Sequence, residues 1–436
     1  MNAAHCPALF VAGVASNQGK TTLTAGLARY HRDAGRRVRV FKVGPDFLDP
    51  TILEHASGAP VYQLDLWMVG ETHCRHLLHG AAQEADLILV EGAMGLFDGT
   101  PSGADLAQRF GIPALVVIDA TAMAQTFGAV VHGLRHYRPE LPFAGVVANR
   151  VAGDCHRDLV AEGMPEDVPL LAVFDRDPDT SLPARHLGLV QASEVDDLEL
   201  RLNRIAARIQ GTSLTALPQP CLFEATAVES QPTSLSGVRI AVARDAAFGF
   251  IYPANLDLLE SLGATVVEFS PLNDDGLPEE IDALWIPGGY PELHLERLQE
   301  NRAMAAAITA HHRVGKPILA ECGGMLYLLE NLTDKQGNQG RMCGLLPGSA
   351  TMRTRLTNLG MHSLELPQGT LRGHTFHHST TDTLLTPTGL TRPQRLGTKP
   401  EAYFRQGGLH AGYVHHYFAS NPAASAVLFT PKYNTT

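Results

Sequence analysis

Short runs of apolar, often β-branched residues alternate with longer stretches of helical character through residues 1–210. These runs, the predicted strands, are 8–13, 38–43, 86–90, 114–118, 143–147 and 169–174. They show little alternation of polar and apolar side chains, which is typical of parallel strands covered on both faces. Stretches such as 21–34 predict the crossover helices. The pattern predicts a doubly wound α/β domain.

The periodicity disappears after residue 210, where Pro, Ser, Thr and Gly dominate, and a second alternating series follows. Its predicted elements are strands 238–243, 265–269, 283–287 and 317–320, with a helix over 254–262. Loss of periodicity in a segment of this composition indicates a linker. We therefore predict a first domain over 1–210, a linker over 211–236 and a second α/β domain over 237–436.

Composition excludes several classes of protein. The 436 residues carry a net charge of −11 without a concentrated block of Lys or Arg, which argues against a nucleic-acid partner. The six cysteines are far apart and form no CxxC pair, so neither a disulfide framework nor a zinc site is expected. The first residues do not resemble a signal peptide, and no apolar run reaches membrane-spanning length. A cytoplasmic protein with no membrane partner is expected.

The segment GVASNQGKTT at 13–22 directly follows the first predicted strand and opens a helix, as a phosphate-binding loop does. In such a loop, backbone N–H groups bind phosphate oxygens, a lysine neutralises the β- and γ-phosphates, and a hydroxyl coordinates Mg²⁺. Lys20 and Thr21 are the candidates for the last two roles. The predicted ATP-binding residues are Gly13, Asn17, Gly19, Lys20, Thr21 and Thr22.

Five residues, rather than the usual four, separate Gly13 from Gly19. This spacing resembles the dethiobiotin synthetase group of phosphate-loop enzymes, which make acyl phosphates or carbamates.

Acidic residues follow two other predicted strands. FKVGPDFLDP at 41–50 contains Asp46 and Asp49, and VEGAMGLFDG at 90–99 contains Glu91 and Asp98. Ligands of open α/β sheets collect at the carboxyl ends of the strands, where such acids can hold Mg²⁺ or orient a substrate. Ordinary turn formation is the alternative, mainly for Asp49 and Asp98. With the phosphate loop, these acids favour activation of a carboxylate by ATP over hydrolysis.

The segment PILAECGGMLYLL at 317–329 places Cys322 between an apolar strand and a helical run. This strand–turn–helix arrangement exposes a nucleophile above a sheet, and a helix N-terminus favours the reactive thiolate. A buried, inert cysteine is the alternative and the better interpretation of the other five. Gly288 and Gly289, in WIPGGYPELH, could supply N–H groups to an oxyanion.

A cysteine nucleophile also needs a base, and the last 65 residues contain six histidines, His374, His377, His378, His410, His415 and His416. The spacing of these histidines fits neither HExxH nor a zinc finger, so one of them serving Cys322 is favoured over a metal site.

Taken together, these strings resemble the cobyrinic acid a,c-diamide synthase family, including its hydrogenobyrinic acid branch. The matching segments cover nearly the whole chain except the linker; they are GVASNQGKTT, FKVGPDFLDP, VEGAMGLFDG, AVARDAAFGFIYPANLDLLESLGA, IPGGYPELH, AECGGMLYLL and GHTFHHS. The resemblance implies an N-terminal dethiobiotin synthetase-like phosphate-loop domain and a C-terminal class I-type glutamine amidotransferase domain. It also implies a carbon–nitrogen ligase of cobalamin biosynthesis, which uses ATP, Mg²⁺ and L-glutamine to amidate the a and c acetate groups of a corrin-ring polycarboxylate.

The same resemblance implies roles for single residues. Cys322 attacks the glutamine amide, and alignment of GYVHHYF at 412–418 with the family pattern SYxHxHF makes His415 the base. Gly412 and Tyr417 depart from that pattern. Thr21, Asp46 and Glu91 fall at metal or nucleotide positions, and Asp49 and Asp98 at substrate-activation positions. The segment QLDLWMVG at 63–70 and the chain length suggest the hydrogenobyrinate-using branch.

Two other functions are consistent with parts of the sequence. A cobyric acid synthase-like amidase would act on other side chains of the ring, but KVGPDFLDP and EGAMGLFDG argue against it. A partition-type ATPase switch would carry a signature lysine where this chain has Ala15, and would have no need of the cysteine elbow. A homodimer is compatible with the sequence, which does not fix the assembly state.

Overall fold

The structure, a computed structural model, describes residues 3–182, 184–185, 188–189, 192–226 and 232–431. The chain divides into two compact units, Met1–Val228 and Glu229–Thr436. The division falls inside the predicted linker.

The elements of the first unit follow the predicted alternation. They are β1 (Ala4–Gly13), α1 (Lys20–Asp33), β2 (Val38–Val43), α2 (Asp49–Ser57), β3 (Tyr62–Leu64), α3 (Glu71–Glu84), β4 (Leu87–Glu91), α4 (Gly103–Phe110), β5 (Ala114–Asp119), α5 (Thr126–His136), β6 (Phe143–Val151), α6 (Asp154–Glu162), β7 (Leu170–Asp175), β8 (Ala184–Arg185), β9 (Gly188–Leu189), α7 (Leu198–Ile209) and β10 (Pro220–Phe223). Single helical turns lie at Leu66–Gly70, Pro178–Thr180, Ala192–Glu194 and Ser213–Thr215.

A parallel sheet in the order β3-β2-β4-β1-β5-β6-β7 forms the centre of this unit. Strands β1, β4 and β5 are almost wholly buried because α1, α2 and α7 share a hydrophobic core with the sheet, while α3 packs against β1 and β4. Burial of both faces explains the unbroken apolar runs in the sequence. The predicted doubly wound fold is confirmed.

The predicted linker, 211–236, contains one short strand. β10 pairs antiparallel with the start of β1, with Cys221 opposite Cys6. Its side chains alternate between exposed and buried. Such alternation is typical of an edge strand, but four residues among prolines are too few for the period to stand out.

The second unit contains the predicted parallel strands and several antiparallel ones. Its elements are β11 (Arg239–Ala243), α8 (Pro253–Ser261), β12 (Thr265–Phe269), β13 (Ala283–Ile286), α9 (Leu295–Glu300), α10 (Arg302–Arg313), β14 (Ile318–Glu321), α11 (Gly323–Leu328), β15 (Asn331–Thr333), β16 (Gln339–Arg341), β17 (Ser349–Met352), β18 (Asn358–Leu366), β19 (Gly369–His377), β20 (Ser379–Asp382), β21 (Gly389–Leu390), β22 (Arg392–Pro393), β23 (Ala402–Gln406), β24 (Leu409–Gly412), β25 (His415–Tyr417) and α12 (Pro422–Val427). Single helical turns lie at Pro291–Leu293 and Phe418–Ser420.

The main sheet of this unit has the order β12-β11-β13-β14-β24-β23-β21. The first five strands in this order run parallel to one another. Two four-stranded sheets, β16-β15-β17-β20 and β22-β18-β19-β25, complete it. Strands β13, β14 and β24 are direct neighbours, so the segments that follow them meet at one edge of the main sheet. Within the described residues, no helix is long and apolar enough to cross a membrane.

Candidate active sites in the two units

The phosphate loop lies between β1, which ends at Gly13, and α1, which begins at Lys20. Asn17 and Gly19 both have a positive φ, 62° and 99°. A Cβ atom at position 19 would lie 2.4 Å from the side-chain nitrogen of Asn149, which donates a 2.9 Å hydrogen bond to the Gln18 carbonyl. Glycine is therefore required at position 19 by conformation and by space. The loop is a preformed turn before a helix N-terminus, the geometry that binds phosphate.

The Lys20 ammonium group is buried inside this loop. It donates hydrogen bonds to the carbonyl oxygens of Ala15, at 2.9 Å, and Met94, at 2.7 Å. The Leu96 N–H donates to the Gly13 carbonyl, at 2.8 Å, so the segment after β4 lies against the phosphate loop. Burial, with the nearby charge of Lys42, lowers the pKa of Lys20. A phosphate bound in the loop would compete with these carbonyl oxygens for the ammonium group.

Lys42 lies among the predicted acidic residues and was not singled out from the sequence. It is the fifth residue of β2, is 3% exposed, and forms ion pairs with Glu91 Oε1 at 2.7 Å, with Asp49 and, at 3.5 Å, with Asp46. The Thr21 hydroxyl lies 2.8 Å from Glu91 Oε1 and 3.2 Å from Asp49 Oδ2. Because β1, β4 and β2 are neighbours, their carboxyl ends bring all five side chains into one cluster.

The charges of this cluster are strongly coupled. Burial opposes the charge on Lys42, but Glu91 and Asp49 outweigh it and raise the pKa of Lys42 well above its usual value. Burial raises the pKa of Glu91 to about 7, and burial with repulsion from Asp49 raises that of Asp46 to about 6. Burial also acts on Asp49, but its pairing with Lys42 is stronger and lowers its pKa. Three carboxyl groups thus share one cation, an arrangement that favours a second positive charge.

Asp98 and Thr22 lie nearby in different surroundings. The Asp98 carboxylate accepts a 2.9 Å hydrogen bond from the Gly95 N–H and so closes the turn of the segment after β4. Thr22 lines a small cleft with Gly19, Asn149, Phe174 and Arg208, among others. The Arg208 guanidinium lies over the Phe174 ring, 5.1 Å from its centroid. An aromatic ring, an amide and a guanidinium group thus line a cleft beside the phosphate loop.

In the second unit, Cys322 occupies a strained turn between β14 and α11. Its φ of 47° and ψ of −109° are unusual for a residue with a side chain, as expected for a nucleophile elbow. Its N–H donates to the Gly412 carbonyl, at 2.8 Å, which ties the elbow to the end of β24. Burial, then the negative charge of Glu292, raises the pKa of Cys322. The expected thiolate-stabilising effect of the helix is outweighed by burial, which favours the thiol.

Gly288 and Gly289 follow β13 and lie beside this elbow. A Cβ atom at position 323 would lie 2.9 Å from the Gly289 nitrogen, and one at position 289 would lie 2.0 Å from the Ala247 carbonyl oxygen. Neither position has room for a side chain. The backbone of Gly289 therefore lies directly against Gly323 of the cysteine elbow, as an oxyanion site requires.

His415, the first residue of β25, packs against Gly288. A Cβ atom at position 288 would lie 2.1 Å from His415 Cε1 and 2.9 Å from its Nδ1. The ring of Phe250 contacts the imidazole from another side, at 5.9 Å between centroids. Burial lowers the pKa of His415 to about 3, so the imidazole is neutral. The predicted nucleophile, oxyanion glycines and base thus come together.

The other C-terminal histidines have different partners. His377 Nε2 lies 2.9 Å from Glu401 Oε1 and its ring stacks on Tyr413, with centroids 3.7 Å apart. His410 contacts the Tyr403 hydroxyl. His374 lies opposite His415 in the β19–β25 register. Throughout the described part of the chain, no three His, Cys, Asp or Glu side chains form a ready-made metal site.

We expect Gly288→Ala to reduce glutamine-dependent activity on the order of 100-fold. The added methyl group would displace the His415 imidazole by more than about 1 Å, and a misplacement of about 1 Å is sufficient for a loss of this size. Activity with added ammonia should not change. Gly276→Ala is the control, since no atom lies within 4 Å of a Cβ there. The measurement is the steady-state rate of each variant with glutamine and with ammonia. Equal rates for Gly288→Ala and wild type with glutamine would contradict the placement of His415.

Comparison with known proteins agrees with this geometry. Residues 9–190 match the family model described as the CobQ/CobB/MinD/ParA nucleotide binding domain, and residues 239–423 match the CobB/CobQ-like glutamine amidotransferase domain. The chain is 57% identical to the hydrogenobyrinate a,c-diamide synthase of Pseudomonas aeruginosa over 431 residues, covering 99% of each chain. It is 56% identical to the enzyme of that name from Stutzerimonas stutzeri, covering 99% of this chain and 100% of the relative. It is 49% identical to the cobyrinate a,c-diamide synthase of Herminiimonas arsenicoxydans, covering 97% of each chain.

The two domains define the class: a nucleotide-binding domain followed by a glutamine amidotransferase domain. Identity over nearly the full length then defines the family more narrowly. The chain belongs to the hydrogenobyrinate and cobyrinate a,c-diamide synthase family, and the resemblance predicted from the sequence is confirmed.

Proposed function

We propose that this protein is a ligase that uses ATP and glutamine to convert the a and c acetate carboxylates of hydrogenobyrinate or cobyrinate to amides. One observation carries the proposal. Each unit gathers its candidate site residues near the ends of three adjacent parallel strands. In the first unit these are the phosphate loop and its acidic cluster, and in the second they are the cysteine, the glycines and the histidine.

In the second unit, His415 takes the proton of Cys322 as the sulfur attacks the carboxamide carbon of glutamine. The Gly288 and Gly289 N–H groups stabilise the oxyanion, and collapse of the tetrahedral intermediate expels ammonia as His415 returns the proton. Water then hydrolyses the γ-glutamyl thioester to glutamate and regenerates the thiol. A neutral thiol–imidazole pair at the start is consistent with the raised pKa of Cys322 and the lowered pKa of His415.

In the first unit, a ring carboxylate attacks the γ-phosphate of ATP, which gives an acyl phosphate and ADP. Ammonia then attacks the acyl carbon, and inorganic phosphate leaves as the amide forms. We assign phosphate binding to Gly13, Asn17, Gly19, Lys20, Thr21 and Thr22, and orientation of the ring carboxylate to Asp49 and Asp98. Lys42 belongs to the same set because its ammonium group can neutralise either the attacking carboxylate or the phosphate.

The donor set of this cluster fits Mg²⁺. Thr21, Asp46 and Glu91 offer oxygen atoms, and the buried Glu91 Oε2 has no hydrogen-bond partner among the described residues. Mg²⁺ commonly uses one or two protein carboxylates, with waters and nucleotide phosphates completing the shell, so a full protein cage is not needed. When bound, Mg²⁺ would offset charge on the phosphates.

The direct test incubates the purified protein with glutamine, MgATP and either ring. The expected products are ADP, phosphate and glutamate in equal amounts, with a ring diamide whose positions are read by mass spectrometry. The relatives at 57% and 56% identity are named for hydrogenobyrinate and the one at 49% for cobyrinate, so kcat/KM should be compared for both rings. ATP consumption that does not depend on either ring would contradict the proposal, and amidation elsewhere would favour a cobyric acid synthase-like enzyme.

We also propose that the enzyme acts in the cytoplasm, without a nucleic-acid or membrane partner, and as a homodimer. Light scattering after size-exclusion chromatography measures the assembly state. A monomer at working concentrations would contradict that part of the proposal alone.

A further inference from the structure

A buried carboxylate, Glu292, lies beside the glutaminase nucleophile and has no part in the chemistry described above. It belongs to the turn Pro291–Leu293, which directly follows Gly288, Gly289 and Tyr290. This turn packs against α11, at whose N-terminus Cys322 lies; a Cβ atom at position 323 would be 2.9 Å from Pro291 Cδ. Glu292 is only 8% exposed, and its charge acts on Cys322 more strongly than that of any other residue.

Glu292 lacks a counter-ion within the described residues. No Lys, Arg or His nitrogen among them lies within ion-pairing distance of its carboxylate; its hydrogen-bond donor is its own backbone N–H, and the more distant Lys335 and Asp334 act in opposite directions. Burial raises the pKa of Glu292 to about 7. Removing a carboxylate from water without a paired cation is costly, so retention of a buried acid here calls for a cation supplied by a ligand.

Glutamine is the ligand of this site that carries such a cation. Its α-ammonium group lies at the end of the molecule opposite the carboxamide and is separated from the carboxamide carbon by three CH or CH₂ groups. When that carbon is at the Cys322 sulfur, the ammonium group lies a few ångströms away in the same pocket. Among the buried carboxylates, Glu292 acts most strongly on the Cys322 thiol, and its turn packs against the cysteine elbow, so it is placed to meet the ammonium group.

We propose that the Glu292 carboxylate binds the α-ammonium group of glutamine and makes the glutaminase selective for amides that carry an α-amino group. This inference rests on the proposed glutaminase function. It predicts selection against simple amides, because an analogue without the ammonium group leaves the buried carboxylate unpaired.

The test uses the full-length protein and two substrates, glutamine and glutaramate, which is glutamine without its α-amino group. For the wild type, kcat/KM should be on the order of 100-fold higher with glutamine, since loss of one partner of a buried charge pair has effects of this size. Glu292→Gln should lose most of that preference, by a rise in the KM for glutamine with little change in kcat. Its activity with glutaramate and its ammonia-dependent synthesis should stay close to wild type.

Glu300→Gln, the same substitution at an exposed position of the neighbouring helix α9, is the control and should keep the wild-type preference. Glu292→Asp, which keeps the negative charge, should retain part of the preference for glutamine over glutaramate. The inference is overturned if the wild type uses both substrates equally, a measurement that does not need a variant to fold. It is also overturned if Glu292→Gln loses activity in the same proportion with both substrates. A wild type that hydrolyses neither substrate would instead reject the glutaminase function.

Discussion

Cys322→Ser is expected to abolish synthesis from glutamine while synthesis from added ammonia stays near the wild-type rate. The thioester cannot form without the sulfur, and loss of a covalent nucleophile typically costs a factor of about 10⁴ or more. Serine is close in size to cysteine, so it fits the turn that the elbow imposes, but its hydroxyl is a much weaker nucleophile. Free ammonia bypasses this step because it reacts directly with the acyl phosphate.

The measurement is the initial rate of amide formation with each nitrogen source, with glutamate release recorded in parallel. Cys155→Ser is the matched control, because Cys155 is an exposed free cysteine outside both candidate sites. It should leave every rate unchanged. Equal loss of glutamine-dependent and ammonia-dependent synthesis in Cys322→Ser would mean that Cys322 supports the structure rather than the chemistry.

Much of the fold could be predicted from the sequence because parallel strands buried on both faces leave a local signal. β2 and β12 match their predicted limits, and β1 and β4 differ by a few residues. The antiparallel sheets of the second unit were not predicted. Their strands, such as β18 and β19, mix exposed and buried residues irregularly and pair with partners distant in sequence, and neither property is visible in a short window.

In the candidate sites, too, the sequence predicts residues that have a local signal and misses those that depend on distant contacts. Cys322 and Lys20 stand in segments whose glycines and flanking strand already indicate their chemistry. Lys42 appears in the sequence as an ordinary residue of β2, and its importance arises only because β4 places Glu91 beside it. Glu292 likewise reads in the sequence as an ordinary turn residue, and only the packing of its turn against α11 brings it to Cys322. Contacts between elements that are separate in the sequence, rather than local pattern, define both residues.

Lys20→Ala is expected to stop synthesis with either nitrogen source. Lys20 is the ammonium group of the phosphate loop, and its charge should offset the charge that builds up on the transferred phosphoryl group. Removing one such preorganised contact typically lowers kcat by about 100-fold to 1,000-fold. Synthesis from glutamine and synthesis from ammonia both require the acyl phosphate, so neither nitrogen source can rescue the variant.

Three measurements separate loss of chemistry from loss of structure in this variant. ADP formation in the presence of the ring should fall with amide formation, whereas glutamate release by the second unit should persist, because its Cys322 and His415 are unchanged. Lys399→Ala, at an exposed position, should behave as wild type in all three. The substitution also lowers stability, because the Ala15 and Met94 carbonyls lose the hydrogen-bond donor that Lys20 provides. The thermal unfolding temperature will show how large this loss is. Amide synthesis at the wild-type rate by Lys20→Ala would remove the phosphate loop from the mechanism, because no other lysine lies in that loop.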